Sequence, residues 1–173
     1  RHQENKWFFA REANYWKRVA TNLGEGKKAL EKALELEPSL DEARLRLGHI
    51  ASLMGDEDEA LTTLATVVAP MDPKFVYLAR MFEAEIFEKR GDLARTQEAY
   101  EQALSAYPGQ SARVGIARTM FVRGNRSQAR SALAWTVDRS QPRMRDPWAE
   151  YYYGFEGQLE KYRERLRAAV RAN

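Results

Sequence analysis

The 173-residue sequence contains no cysteine, which excludes disulfides, thiolate nucleophiles and zinc–thiolate centres. A cysteine-free chain is tolerated in oxidising and reducing compartments alike, so the compartment of the expected soluble domain, cytoplasmic or periplasmic, stays unknown. Histidine is nearly as scarce. Only His2 and His49 occur, and neither has a ligand-type partner one helical turn away. One interior histidine without a nucleophile and an acid beside it makes no triad. Long apolar runs are missing too, so no segment of about 18 residues is suited to cross a membrane. No charged-then-apolar leader is visible, and the chain opens at Arg1 without Met, as a trimmed piece of a longer protein would. Gly24-Glu25-Gly26 is too short for a phosphate loop. Asp56-Glu57-Asp58-Glu59 lacks the spacing of a calcium loop and suits a helix start, where acids meet the helix dipole. Asn125-Arg126-Ser127 matches a glycosylation triplet of a kind frequent by chance. These absences lead to an expectation of no catalytic residue, no metal and no cofactor.

What the sequence does contain is a period. Glycines followed by a polar residue occur at Gly24-Glu25, Gly55-Asp56, Gly91-Asp92, Gly124-Asn125 and Gly157-Gln158. Prolines mark a second series at Pro38, Pro70, Pro108 and Pro142. The two series interleave, so each glycine falls about midway between breaks, as the turn of a helical hairpin requires. Between the breaks, apolar residues recur at helical spacing. Examples are Ala29, Leu30, Ala33 and Leu34, then Ala60, Leu61, Leu64 and Ala65, then Ala99, Tyr100, Ala103 and Leu104, then Ala129, Ala132 and Leu133. Strand signals are almost absent. The β-branched pair Val67-Val68 ends a helix-periodic run.

The net charge of +3 hides an asymmetry. Residues 1–107 carry 15 Lys/Arg against 19 Asp/Glu, and residues 108–173 carry 13 against 6. The basic half uses arginine, with Lys161 its one lysine. Arginine suits forked contacts to carboxylates and phosphates. The plainer reading is that these arginines solvate helix faces. The sharper one is binding of an anionic polymer or membrane surface through the Arg-rich half.

The repeat resembles the tetratricopeptide repeat family. Ala33-Leu34-Glu35-Leu36-Glu37-Pro38 is similar to the end of that repeat. Leu47-Gly48, Gly55-Asp56 and Ala60 fall at family positions in the next unit. Ala84, Phe87, Gly91-Asp92, Tyr100, Ala103 and Pro108 do so in the third, and Ala117, Gly124-Asn125, Ala129 and Leu133 in the fourth. The first and last units depart from the pattern, with Lys17 and Glu150 where a small residue belongs. The resemblance implies one all-α domain over 1–173, a right-handed superhelical solenoid of about five helix-turn-helix repeats. Its hairpins would lie at about 4–37, 41–69, 73–106, 110–139 and 146–171. Each hairpin has an apolar stripe that a neighbour must cover, so the units stack. Small residues at Gly48, Ala84 and Ala117 would let paired helices approach closely. The tail Asp146-Pro147-Trp148, followed by tyrosines, resembles the ends of some bacterial repeat proteins, which suggests a bacterial source.

In this family the first helix of each hairpin lines a concave face where ligands bind. The register then names the lining. It comprises Arg11, Asn14 and Arg18 from the first unit, Leu45 and His49 from the second, Leu78, Met81, Glu85 and Glu88 from the third, and Val114, Arg118 and Phe121 from the fourth. Leu45, Met81 and Val114 read equally well as packing residues, because stripe width is not legible to one residue. The carboxylate clamp that some relatives carry is not supported, since Leu45, His49 and Met81 stand where further polar clamps would be needed. The aromatic N-terminal stretch with Trp7, Phe8, Phe9, Tyr15 and Trp16 reads as a core stripe, a partner site or a seam for further repeats. The function expected is a non-catalytic protein–protein interaction scaffold or accessory subunit of a larger assembly. Its partner would be a protein or peptide rather than nucleic acid.

Overall fold

The computed structural model describes the backbone of residues 2–68, 72–137 and 145–153, and the side chains of 17–68, 72–134 and 145–152. Eight α-helices are present among the described residues, and no strand. They are α1 (His2–Leu36), α2 (Asp41–Met54), α3 (Glu57–Ala65), α4 (Pro73–Lys89), α5 (Leu93–Ala106), α6 (Gln110–Val122), α7 (Arg126–Val137) and α8 (Pro147–Tyr153). The fold is the expected all-α helical repeat. The helices fall into two compact units that divide between Val68 and Ala69.

Three of the glycine turns share one geometry. Gly55, Gly91 and Gly124 have φ of 92°, 71° and 83°, the left-handed region that glycine enters without a side-chain penalty. Each closes its helix with the same pair of bonds. Gly55 N donates to Ser52 O and Asp56 N to Ala51 O; Gly91 and Asp92 repeat this on Glu88 and Phe87, and Gly124 and Asn125 on Phe121 and Met120. The carbonyls left over at the helix end are thereby satisfied. The hairpins α2–α3, α4–α5 and α6–α7 result. Gly157 lies outside the described residues.

The first unit departs from the expected pattern. No turn forms at Gly24: α1 runs unbroken through Gly24-Glu25-Gly26 for 35 residues. A glycine inside a helix costs only about 1 kcal/mol relative to alanine, so the dipeptide permits a turn without compelling one. Gly26 allows close approach, since a Cβ there would stand 3.2 Å from Ile50 Cδ1 of α2. A Cβ at Gly24 would meet nothing within 4 Å. Gly24→Ala is therefore expected to stabilise α1, by about 0.5–1 kcal/mol. Gly55→Ala, at its left-handed φ, is expected to destabilise by about 1–2 kcal/mol. Chemical denaturation of the two variants checks both signs; a loss of stability at Gly24 would mean a turn there after all. Against α2, α1 also contributes the Lys27–Glu59 ion pair to α3 at 2.7 Å. The core of this unit is Ala43, Leu45, Leu47, Ala51, Ala60, Leu64 and Val67.

In the second unit α4 opens on Asp72, whose side chain accepts from Lys74 N, with Pro73 at the first helical position. Asp92 caps α5 in the same way, accepting from Arg95 N. Tyr77, Phe82, Ile86, Tyr100 and Ile116 lead the core, with Ala79, Ala84, Ala99, Ala103, Ala112 and Ala117 between them. The α5 helix packs on α6, joining the two hairpins. Of the fifth hairpin, expected at about 146–171, residues 154–171 lie outside the described residues. Helix α8 returns to lie against α4.

Candidate protein-binding face

The first helices of the second unit, α4 and α6, carry most of the residues expected to line a binding face. Three of these are brought together with one residue that the register did not name. Arg118 of α6 is ion-paired with Glu88 of α4 and also donates to the Tyr100 hydroxyl at 3.0 Å. Tyr100 in turn donates to Glu88 at 3.4 Å. Burial, together with the Glu88 charge, pushes the Tyr100 phenol up to about 12, so it stays protonated and keeps that donor. Glu85 lies one turn before Glu88 on α4. Burial pushes its carboxyl up, and the Tyr152 hydroxyl, donating to it at 3.3 Å, pulls it partly back.

Val114 and Phe121 lie on one stripe of α6 with Arg118 between them, because seven residues make nearly two turns. Both are exposed, Val114 at 43% and Phe121 at 59%, and Val122 beside them at 62%. The guanidinium of Arg126 stands 5.8 Å from the Phe121 ring centroid. Leu78 and Met81, expected to line the same face, are buried at 6% and 3% exposure and serve as core. In the first unit Leu45 is buried likewise, His49 is half-buried and Arg18 exposed. The side chains of Arg11 and Asn14 lie outside the described residues, as do those of the aromatic stretch 7–16.

The residues that register reasoning missed surround Asp146. This carboxylate accepts three hydrogen bonds: from the Tyr77 hydroxyl at 3.0 Å, from Ser111 N at the start of α6 at 2.5 Å, and from Trp148 N at 3.0 Å. It thus caps α8 while tying it to α4 and α6. Burial first, then the Asp146 charge, push the Tyr77 phenol far up, which keeps it a donor. The Phe82 ring meets Trp148 at 4.9 Å and Tyr151 at 5.3 Å, both edge-on, the arrangement that aromatic quadrupoles favour. Tyr107 donates to the Arg145 carbonyl at 3.2 Å. The signal for a helix start at Asp146-Pro147 was legible in the sequence; its docking place was not.

Of the arginines in the basic half, Arg118 is engaged with Glu88, and Arg123 donates to Gln97 at 2.8 Å. No group of three or more His, Asp or Glu side chains among the described residues is arranged around a common metal position. No helix among them is long and apolar enough to cross a membrane.

Helical hairpins turned on left-handed glycines define a helical-repeat protein. Residues 20–74 match the family model for the tetratricopeptide repeat. Such repeats generally mediate protein–protein interaction and are typically non-catalytic. Several solved structures are similar to the chain, among them two crystal structures of MamA. "Crystal structure of MamA" is 19% identical, with 68% of this chain and 88% of that chain covered, at a TM-score of 0.32. "Crystal structure of MamA protein" is 17% identical, with 80% and 90% covered, at a TM-score of 0.35. No curated protein matches the chain.

Proposed function

We propose that the chain is a non-catalytic scaffold or accessory subunit of a larger assembly, and that it binds a peptide or protein segment on the α4–α6 face of its second unit. The observation that carries this reading is the stripe Val114–Arg118–Phe121 on α6, where two exposed apolar side chains flank a guanidinium already positioned by Glu88. Exposed apolar side chains gathered beside fixed charges are the mark of an interaction surface. Apolar contacts supply most of the affinity, and the charges select orientation and partner.

The test is the double change Val114→Glu with Phe121→Glu. Both sites are exposed, so helicity is expected to be kept. Met81 is left alone, because a glutamate at a buried site would unfold the helix pair instead of probing its surface. Proteins that co-purify with the wild-type chain from its native source are expected to be lost from the variant. A folded variant that retains them would place the binding surface elsewhere on the molecule.

A further inference from the structure

We propose that the segment Arg145–Tyr153 is an internal ligand of the α4 side of the α4–α6 face, beside the Val114–Arg118–Phe121 stripe, which it leaves exposed: this seat receives a short helix that opens with an aspartate and carries aromatic rings, and α8 occupies it in cis. The inference rests on the binding reading above and specifies the ligand chemistry and its regulation.

The segment is seated on the second unit rather than built into its core. From Arg145 to Tyr152, only Pro147 is buried; Trp148 and Tyr151 are half-buried and Tyr152 is exposed. The surface beneath is the opposite. Phe82 is 1% exposed and lies against Trp148 and Tyr151, so α8 covers a large aromatic side chain while remaining at the surface itself. The helix is seven residues long, too short to be stable alone, so its conformation depends on what it lies against.

The contacts define a receptor with three elements. The first is an acid anchor: the Tyr77 hydroxyl and Ser111 N converge on the Asp146 carboxylate. Close packing holds that anchor in place, since a Cβ on Gly109 would stand 2.2 Å from the Tyr77 hydroxyl oxygen. The second is the Phe82 ring, which takes the edges of Trp148 and Tyr151. The third is the Glu85 carboxylate, which accepts from Tyr152. Glu85 lies one turn before Glu88 on α4, so the end of α8 reaches the edge of the polar cluster. An acid two residues before the first ring, and rings three and four residues further on, are what this receptor reads. A tethered segment acts at an effective concentration on the order of millimolar, so an external segment of the same chemistry must compete with it. Its apparent affinity is reduced by the fraction of molecules in which α8 is docked.

The experiment uses the full chain and a fluorescently labelled synthetic peptide of residues 145–153, followed by anisotropy. The wild-type chain is expected to bind this peptide weakly. The variant Asp146→Ala with Trp148→Ala releases α8 and is expected to bind it at least about tenfold more tightly. The same peptide carrying both alanines is expected not to bind. Equal binding to wild type and released variant, or no binding to a released variant of full helicity, overturns the proposal. A second variant covers loss of folding. The chain has no cysteine, so Glu85→Cys with Tyr152→Cys provides a unique thiol pair. Joining it with a short bis-maleimide is expected to abolish peptide binding, and a linked chain that binds as well as the unlinked one overturns the proposal. A wild-type dimer that becomes monomeric on release would mean that the segment comes from a second copy, which overturns cis occupancy. The two readings fail separately. If Val114→Glu with Phe121→Glu loses the co-purifying proteins while α8 release leaves peptide binding unchanged, the binding face stands and the internal ligand does not.

Discussion

Replacing Gly48 by leucine is expected to lower stability by about 3 kcal/mol, the scale of an overpacked core site. Gly48 lies on α2 where α3 crosses it. A Cβ at this position would stand 2.7 Å from Leu64 Cγ and 2.8 Å from its Cδ2, with the Ala60 carbonyl oxygen at 3.4 Å. These neighbours have nowhere to move, because Leu64 and Ala60 are both fully buried. Helix propensity acts in the opposite direction. Removing a mid-helix glycine gains about 1 kcal/mol, less than the overlap costs, so the net sign is destabilising. For a chain of this size the loss corresponds to a drop of roughly 6–12 °C in Tm. Amide exchange in α2 and α3 should accelerate with it. An unchanged melting temperature would show that Gly48 is not the close-approach residue of this hairpin.

Gly115→Leu is expected to be at least as damaging, about 3 kcal/mol or more, and to change the candidate face as well. A Cβ on Gly115 would lie 2.5 to 2.7 Å from three atoms of the Tyr100 ring. That ring is 2% exposed, and its hydroxyl is held between Arg118 and Glu88. It cannot yield without leaving both partners, so the substitution takes apart the polar cluster across α4, α5 and α6. Tyr100 would also lose the burial that raises it to about 12. Titration of a 13C-labelled Tyr100 ring should show its pKa returning toward the ordinary tyrosine value. A stable variant whose Tyr100 still titrates near 12 would mean that the α5–α6 contact does not depend on this glycine.

The features legible in the sequence were those governed by local backbone chemistry. At Gly55, Gly91 and Gly124 a left-handed residue must follow a helix, and glycine supplies it. The same logic located Gly24, yet there the helix continues. Helix and turn differ little in local cost at such a site, and what packs around it decides between them. Register named Glu85, Glu88 and Arg118 among the lining residues, because their places recur in successive hairpins, and the structure pairs Glu88 with Arg118. It could not separate lining from core at Leu45, Leu78 and Met81, all buried, since one helix side grades from one to the other within a single residue step.

By itself the sequence determined the helical repeat class, three hairpin turns, the absence of thiol chemistry and the acid-then-proline start of α8. All of these depend on residues within a few positions of one another, or on a period repeated along the chain. Only the tertiary structure decided that α1 is a single helix, that Leu78 and Met81 are interior, and that Tyr100 belongs to the Glu88–Arg118 cluster. It also decided that α8 lies against α4, where Asp146 meets Tyr77 from 69 residues away and the rings following it meet Phe82. Contacts of that separation carry no period and no local signature. They form because a buried hydroxyl needs an acceptor and an aromatic ring needs cover, and several segments of the chain could have met those needs.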